Sequence, residues 1–128
     1  MKNLAAVGLA IITGFALGAT AIGTLNAQGK GPGAYVIVDI ADVSNPDTYK
    51  QASAKAGPAI AAAGGAFLAR TDDVVALEGT APKRIIIIGF DSVDKAKAWY
   101  ASPAQQEVNA MLKASSKGRL LVVEGLAK

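Results

Sequence analysis

Residues 83–90 read Lys-Arg-Ile-Ile-Ile-Ile-Gly-Phe. A strand with one wet face alternates apolar and polar side chains, whereas four isoleucines in a row leave no polar alternate. The run at 85–88 therefore predicts a strand covered on both faces. A small domain is built from two packed layers around one core. One cover is then expected from helices of the same chain and the other from a second copy.

Working outward, the segments on either side fit one topology. Upstream, residues 34–41 (Ala-Tyr-Val-Ile-Val-Asp-Ile-Ala) are β-branched and aromatic and predict a strand. Tyr35, Ile37 and Asp39 would share one face, and Val36, Val38 and Ile40 the other. Ser44-Asn45-Pro46-Asp47 starts a helix, with a cap, a first-turn proline and an acid at the positive helix end. Tyr49, Ala52, Ser53, Ala56, Ile60 and Ala63 form its inward stripe of mostly small residues. Pro58 is expected to kink that helix or split it. Gly64-Gly65 ends it, residues 66–70 form a second strand, Thr71-Asp72-Asp73 turns, and residues 74–78 continue extended. Downstream, Asp91-Ser92 caps a helix carrying Val93, Ala96, Trp99 and Tyr100. Ser102-Pro103 interrupts it and restarts a helix with Val108, Met111, Leu112 and Ser115 on one face. Lys117-Gly118 is read as its close and residues 119–124 as the last strand.

Strand, helix, two strands, helix, strand is the ferredoxin-like βαββαβ order, an α+β fold. Its antiparallel four-stranded sheet carries both helices on one face. The tetra-isoleucine strand leaves the other face apolar. Exposed apolar patches beyond about 300–600 Å² are rare on monomers. The expectation is a homodimer with bare sheet faces packed about a two-fold axis, with a closed monomer as the alternative.

The chain has 128 residues, a formal net charge of +3, and neither cysteine nor histidine. Disulfides, thiolate nucleophiles, the common zinc sites, His-ligated haem and a Ser-His-Asp triad are excluded. Any metal would need oxygen ligands alone, and neither a metal nor a cofactor is expected. The longest basic run is Lys83-Arg84, so no nucleic-acid partner is expected. Residues 1–27 open with Lys2, run without charge from Leu4 to Leu25, and end among small residues, in the order of a secretory signal. The apolar run is long enough for an uncleaved membrane anchor as well; cleavage is favoured. Either way the domain is expected outside the cytoplasm, in the periplasm or tethered to the inner membrane. Residues 28–33 read as a flexible linker, 34–125 as the domain and 126–128 as a tail.

Several segments carry a family resemblance: Ala34-Tyr-Val-Ile-Val-Asp39, Ala63-Gly-Gly-Ala-Phe-Leu-Ala-Arg70, Leu77-Glu-Gly79, Ile88-Gly-Phe-Asp-Ser92, Ala98-Trp-Tyr-Ala-Ser-Pro103 and Gly118-Arg-Leu-Leu-Val-Val-Glu-Gly125. In this order and spacing the chain resembles the domain-of-unknown-function 1330 family over residues 34–125. The resemblance implies a dimeric α+β barrel of ferredoxin-like type and implies no activity. Where the family usually has histidine before the glycine pair, this chain has Ala63, so a role for that side chain is lost here. A late basic residue of the second helix, often arginine in the family, corresponds to Lys113.

Five residues stand out as ligand-binding candidates. Arg70 and Glu78 end two consecutive extended segments, and antiparallel pairing would bring them together. Arg70 offers a bidentate fork for a carboxylate or enolate, and Glu78 would serve as a base if buried. A structural ion pair explains both equally simply and is favoured. Trp99 and Tyr100 would line an aromatic cavity, or, more simply, pack in the core. Asp39, among apolar neighbours, would face the cavity or pair with Arg84 or Arg119; pairing is favoured. No catalytic residue is assigned. Three functions are compatible: binding of a small apolar or aromatic molecule, cofactor-independent monooxygenase or isomerase chemistry, and a structural envelope role without ligand. The first is preferred, because the usual proton shuttle and nucleophile are missing.

Overall fold

The computed structural model describes residues 31–126. The signal or anchor at 1–27, most of the expected linker and the last two residues lie outside the described residues. Seven elements follow in order: β1 (Ala34–Val43), α1 (Pro46–Ala62), β2 (Ala66–Thr71), β3 (Arg84–Phe90), α2 (Val93–Ala101), α3 (Pro103–Ser115) and β4 (Ser116–Glu124). The strands form one sheet in the order β2-β3-β1-β4, with every neighbouring pair antiparallel. This is the ferredoxin-like arrangement, its second helix divided at Ser102-Pro103.

The two central strands show how the sheet is loaded. Along β1, Val36, Val38 and Ile40 are buried, and Tyr35, Ile37 and Asp39 between them are half-buried. On β3, Ile88 and Phe90 are buried and Ile85, Ile86 and Ile87 half-buried. The register sets Val36 beside Ile88 and Val38 beside Ile86 on the helix-covered face. Trp99, Ile60 and Ala96 close that core, where each fully buried aliphatic side chain contributes about 1.5–3 kcal/mol. On the other face Ile37 lies opposite both Ile87 and Leu121, and Tyr35 opposite Val123. Leu121 and Val123 remain exposed. Within one chain, nothing among the described elements covers this face.

Helix starts follow their caps. Asn45 accepts from Thr48 N–H, Ser92 from Lys95 N–H and Ser102 from Gln105 N–H, which satisfies amides that have no partner in a first turn. Gly64, at φ +82°, takes the left-handed turn after α1.

The structure corrects four local expectations. Pro58 does not split α1, which runs unbroken through it. The proline and Ala54 are both exposed, so water can serve the carbonyl that loses its helical donor. Lys117-Gly118 does not end α3. It ends two residues earlier, where Ser116 turns extended at φ −154°, and the hydroxyls of Ser115 and Ser116 donate to the carbonyls of Met111 and Leu112 at 2.7 Å each. Gly118 instead lies in β4 opposite Ile40, beside a bulge, where a Cβ would strike the Asp39 backbone. Residues 74–78 join no strand; the chain from 72 to 83 is a loop with Val75 and Leu77 exposed. Finally, Pro32 and Gly33 belong to the fold and not to a free linker. Gly33 O accepts from Gly125 N–H at 2.8 Å, and Pro32 lies over Gly89.

Candidate functional site

A cavity of about 40 Å³ lies between the covered sheet face and the helices, several times the roughly 10–15 Å³ that one water requires. Its sheet wall includes Val38, Ile86 and Ile88, and its helix wall includes Ala52, Ala56 and Val108. The alanine stripe of α1 is why space remains: methyl groups stop short of the sheet where leucines would fill it.

The polar residues are concentrated at two places. At one, Tyr49, Ser53 and Arg70 line the cavity, with Arg84 close by. Arg70 reaches it because of a register shift between Phe67 and Ala69, where Phe67 pairs with Ile88 and Ala69 with Ile87. Strict alternation would place residues 67 and 70 on opposite faces. The bulge re-aims the strand, so both side chains point to the helices and the Arg70 guanidinium sits 4.5 Å from the Phe67 ring centre. Arg84 is bound to Asp72 at 2.5 Å, and its Nε is buried without a protein partner. Burial pushes the Tyr49 hydroxyl above its ordinary value of 10.0; Arg84 opposes this most, followed by Ser53, while Asp72 adds to the rise and Arg70 opposes it weakly. The tyrosine is a neutral donor beside two guanidinium groups.

At the second place stand Trp99 and Gln105, both 2% exposed and both in the cavity wall. Gln105 Nε2 donates to Asn109 Oδ1 at 2.9 Å, and Asn109 Nδ2 donates to the Tyr100 carbonyl at 3.5 Å. Gln105 Oε1 and Trp99 Nε1 have no protein partner. The Trp99 ring packs on Phe90 at 5.3 Å between centres, tilted by 36°.

The sequence candidates are thus separated. Arg70 and Trp99 line the cavity. Glu78 does not meet Arg70: it is exposed in the 72–83 loop and joins no ion pair among the described residues, because β2 pairs with β3 and places Ile86 opposite Arg70. Tyr100 faces a separate groove of about 180 Å³ between α3 and β4, shared with Lys113 and Arg119. Asp39 lies on the uncovered face and pairs with Arg119 at 3.4 Å, the pairing favoured from the sequence. Tyr49, Ser53, Arg84 and Gln105 were not read as site residues. For Gln105 a signal existed. It stands three residues before Val108 and seven before Leu112, a polar residue on an apolar stripe, and three after Ser102, the spacing of a capping box. Its amide turns inward to Asn109 instead of back to the cap.

These features define a ferredoxin-like α+β domain with an apolar cavity under its helices. Residues 33–126 match the model of DUF1330, a domain of unknown function. The chain belongs to that family. Three solved structures share its fold. A protein of unknown function from Rhodopseudomonas palustris is 15% identical, with 77% of this chain and 86% of that one covered and a TM-score of 0.61. A dimeric ferredoxin-like protein of unknown function from Jannaschia sp. CCS1 is 19% identical, with 72% and 96% covered and a TM-score of 0.54. SnoaB, a cofactor-independent oxygenase from Streptomyces nogalater, is 16% identical, with 74% and 93% covered and a TM-score of 0.51. No curated protein matches the chain in sequence.

Proposed function

We propose that the domain is a homodimeric binder of a small apolar or aromatic molecule, held in the cavity between sheet and helices. The observation that carries this reading is a void with apolar walls and few polar groups, Tyr49 and Arg70 at one place and Gln105 at another; at about 40 Å³ it is smaller than the roughly 150 Å³ cavity that takes up benzene, so a ring enters only as the helices give way. Small-molecule sites have this composition, apolar surface with a few placed polar groups. Pairing of two copies through the uncovered sheet face is supported by the adjacent Ile37, Ile87 and Leu121. The dimeric state of the Jannaschia protein also supports it. Export to the periplasm, or tethering at the inner membrane, rests on the charge and hydropathy pattern of residues 1–27. Cell fractionation tests it: export predicts the protein in the periplasmic or membrane fraction, and recovery in the cytosol contradicts it.

Native mass spectrometry of the purified protein tests binding. The expected result is a non-covalent adduct lost on denaturation, or uptake of a single-ring probe such as phenol with a rise in melting temperature. A protein that stays empty with every single-ring probe contradicts the reading. A second reading, cofactor-independent oxygenase chemistry, has the SnoaB fold likeness in its favour. Oxygen consumption with added quinols separates it from simple binding.

A further inference from the structure

We propose that the groove between β4 and the divided second helix is a further binding site, for a medium-chain fatty acid: the carboxylate meets Lys113 and the alkyl chain lies along the sheet toward Val122. The groove borders the small cavity, with Val38, Ile40, Leu112 and Leu120 in both linings. It does not depend on that cavity being filled.

The floor of the groove is a ladder. On the helix-covered face, β1 and β4 pair Ile40 with Gly118, Val38 with Leu120 and Val36 with Val122. The β1 member of each rung is buried, whereas Leu120 and Val122 are half-buried and Gly118 is exposed. β4 is an edge strand, and the helices leave its side of the sheet partly open. Two hollows result. One, of about 180 Å³, takes the first two rungs. The other, of about 200 Å³, runs from Leu120 to the Val36–Val122 rung. Leu120 and Tyr100 line both, so the hollows join into one trough. Each exceeds the roughly 150 Å³ cavity that takes up benzene. From Gly118 to Val122 the strand advances about 13 Å, at 3.3–3.4 Å per residue. An extended alkyl chain of about ten carbons, with bonds of about 1.5 Å, has a similar reach. A single ring would occupy one hollow, and a chain follows both.

The two ends differ in chemistry. At the Gly118 end stand Asn109, Lys113, Ser116 and Arg119. At the other end the walls are Val36, Val122, Ala96 and Trp99, with Lys97 the one charged residue. Neither lining includes an acidic side chain. Arg119 is matched by Asp39 at 3.4 Å, and Lys113 joins no ion pair among the described residues. One unmatched cation among polar neighbours fits one carboxylate, and the apolar end fits its tail. Lys97 is exposed, and a lysine so placed keeps its ammonium in water while its stem covers apolar surface.

Calorimetry on the purified protein with decanoate, hexanoate and decanol tests the site. The expected result is one decanoate per chain, with hexanoate at least about tenfold weaker, because each methylene taken out of water is worth up to about fourfold. Lys113→Gln should weaken decanoate about threefold to fivefold, the worth of one exposed ion pair, a loss that decanol does not share. Lys97→Gln should weaken decanoate less than Lys113→Gln does. Leu120→Trp fills the stretch common to both hollows and should abolish decanoate binding. Should that variant fail to fold, the chain-length comparison on the unaltered protein still decides. Hexanoate binding as tightly as decanoate, decanoate indifferent to Lys113→Gln, or no saturable uptake would each overturn the inference. Uptake of phenol without uptake of decanoate would remove this site and leave the cavity a binding site.

Discussion

The two faces of the sheet are made from alternate residues of the same strands, yet they meet different surroundings. Ile88 is buried beside Val36 in the core that Trp99 closes, and its neighbour Ile87 looks out with Ile37 and Leu121 over a face that no described element of the chain covers. Composition does not distinguish the two positions, because the sequence puts isoleucine at both. Topology does: both helix-bearing crossovers return on one side, so one face acquires a core and a cavity and no described element covers the other. An unbroken apolar run therefore does not say which face the chain's own helices cover.

The largest effect that would sharpen this contrast comes from charging the two neighbouring isoleucines in turn. Ile88→Asp puts a carboxylate into the core with no partner, a cost of several kcal/mol, and circular dichroism should show an unfolded chain. Ile87→Asp should leave the fold intact and act on association alone. Equal loss of structure in both would break the distinction between the faces.

Within the covered face, Trp99→Ala should cost about 3–5 kcal/mol in urea unfolding, since it removes the lid shared by the core and the cavity. Ser102→Ala should cost about 1 kcal/mol by the same measurement. Its hydroxyl accepts from Gln105 N–H and donates to the Trp99 carbonyl, so it secures the joint between α2 and α3.

An alkaline titration probes the cavity mouth. The Tyr49 hydroxyl has a folded pKa above its ordinary value, so burial favours the protonated form. The corresponding stability is fully present below pH about 10 and is lost as pH rises through the raised value. Tyr49→Phe should remove that part of the alkaline loss. The smallest effect is expected on the uncovered face: Asp39→Asn breaks the pair with exposed Arg119 and should change single-chain stability by no more than about 1 kcal/mol.

Much of the fold was legible because strong local signals agreed. The isoleucine run marked β3, the alternation from Tyr35 to Ile40 gave both faces of β1, and Ser92 and Ser102-Pro103 placed the helix starts where they occur. The site was less legible because it depends on register. Arg70 reaches the cavity only through a one-residue bulge, which no residue type in Phe67-Leu68-Ala69 announces. Glu78 misled because Val74-Val75-Ala76-Leu77 has strand-like composition, yet residues 74–78 pair with no strand and β2 keeps an open outer edge. Gln105 carried a capping-box spacing, and only the packed structure shows its amide committed to Asn109. The end of α3 and the start of β4 were displaced because the backbone turns extended at Ser116, two residues before Gly118.

The unequal roles of the two faces are tested most directly by sedimentation equilibrium at micromolar concentration on the purified protein and on Ile37→Asp. Two chains per particle for the first and one folded chain for the second is the predicted pair of masses. A single chain in both would mean that the isoleucine face needs no second copy, and the paired barrel would be wrong.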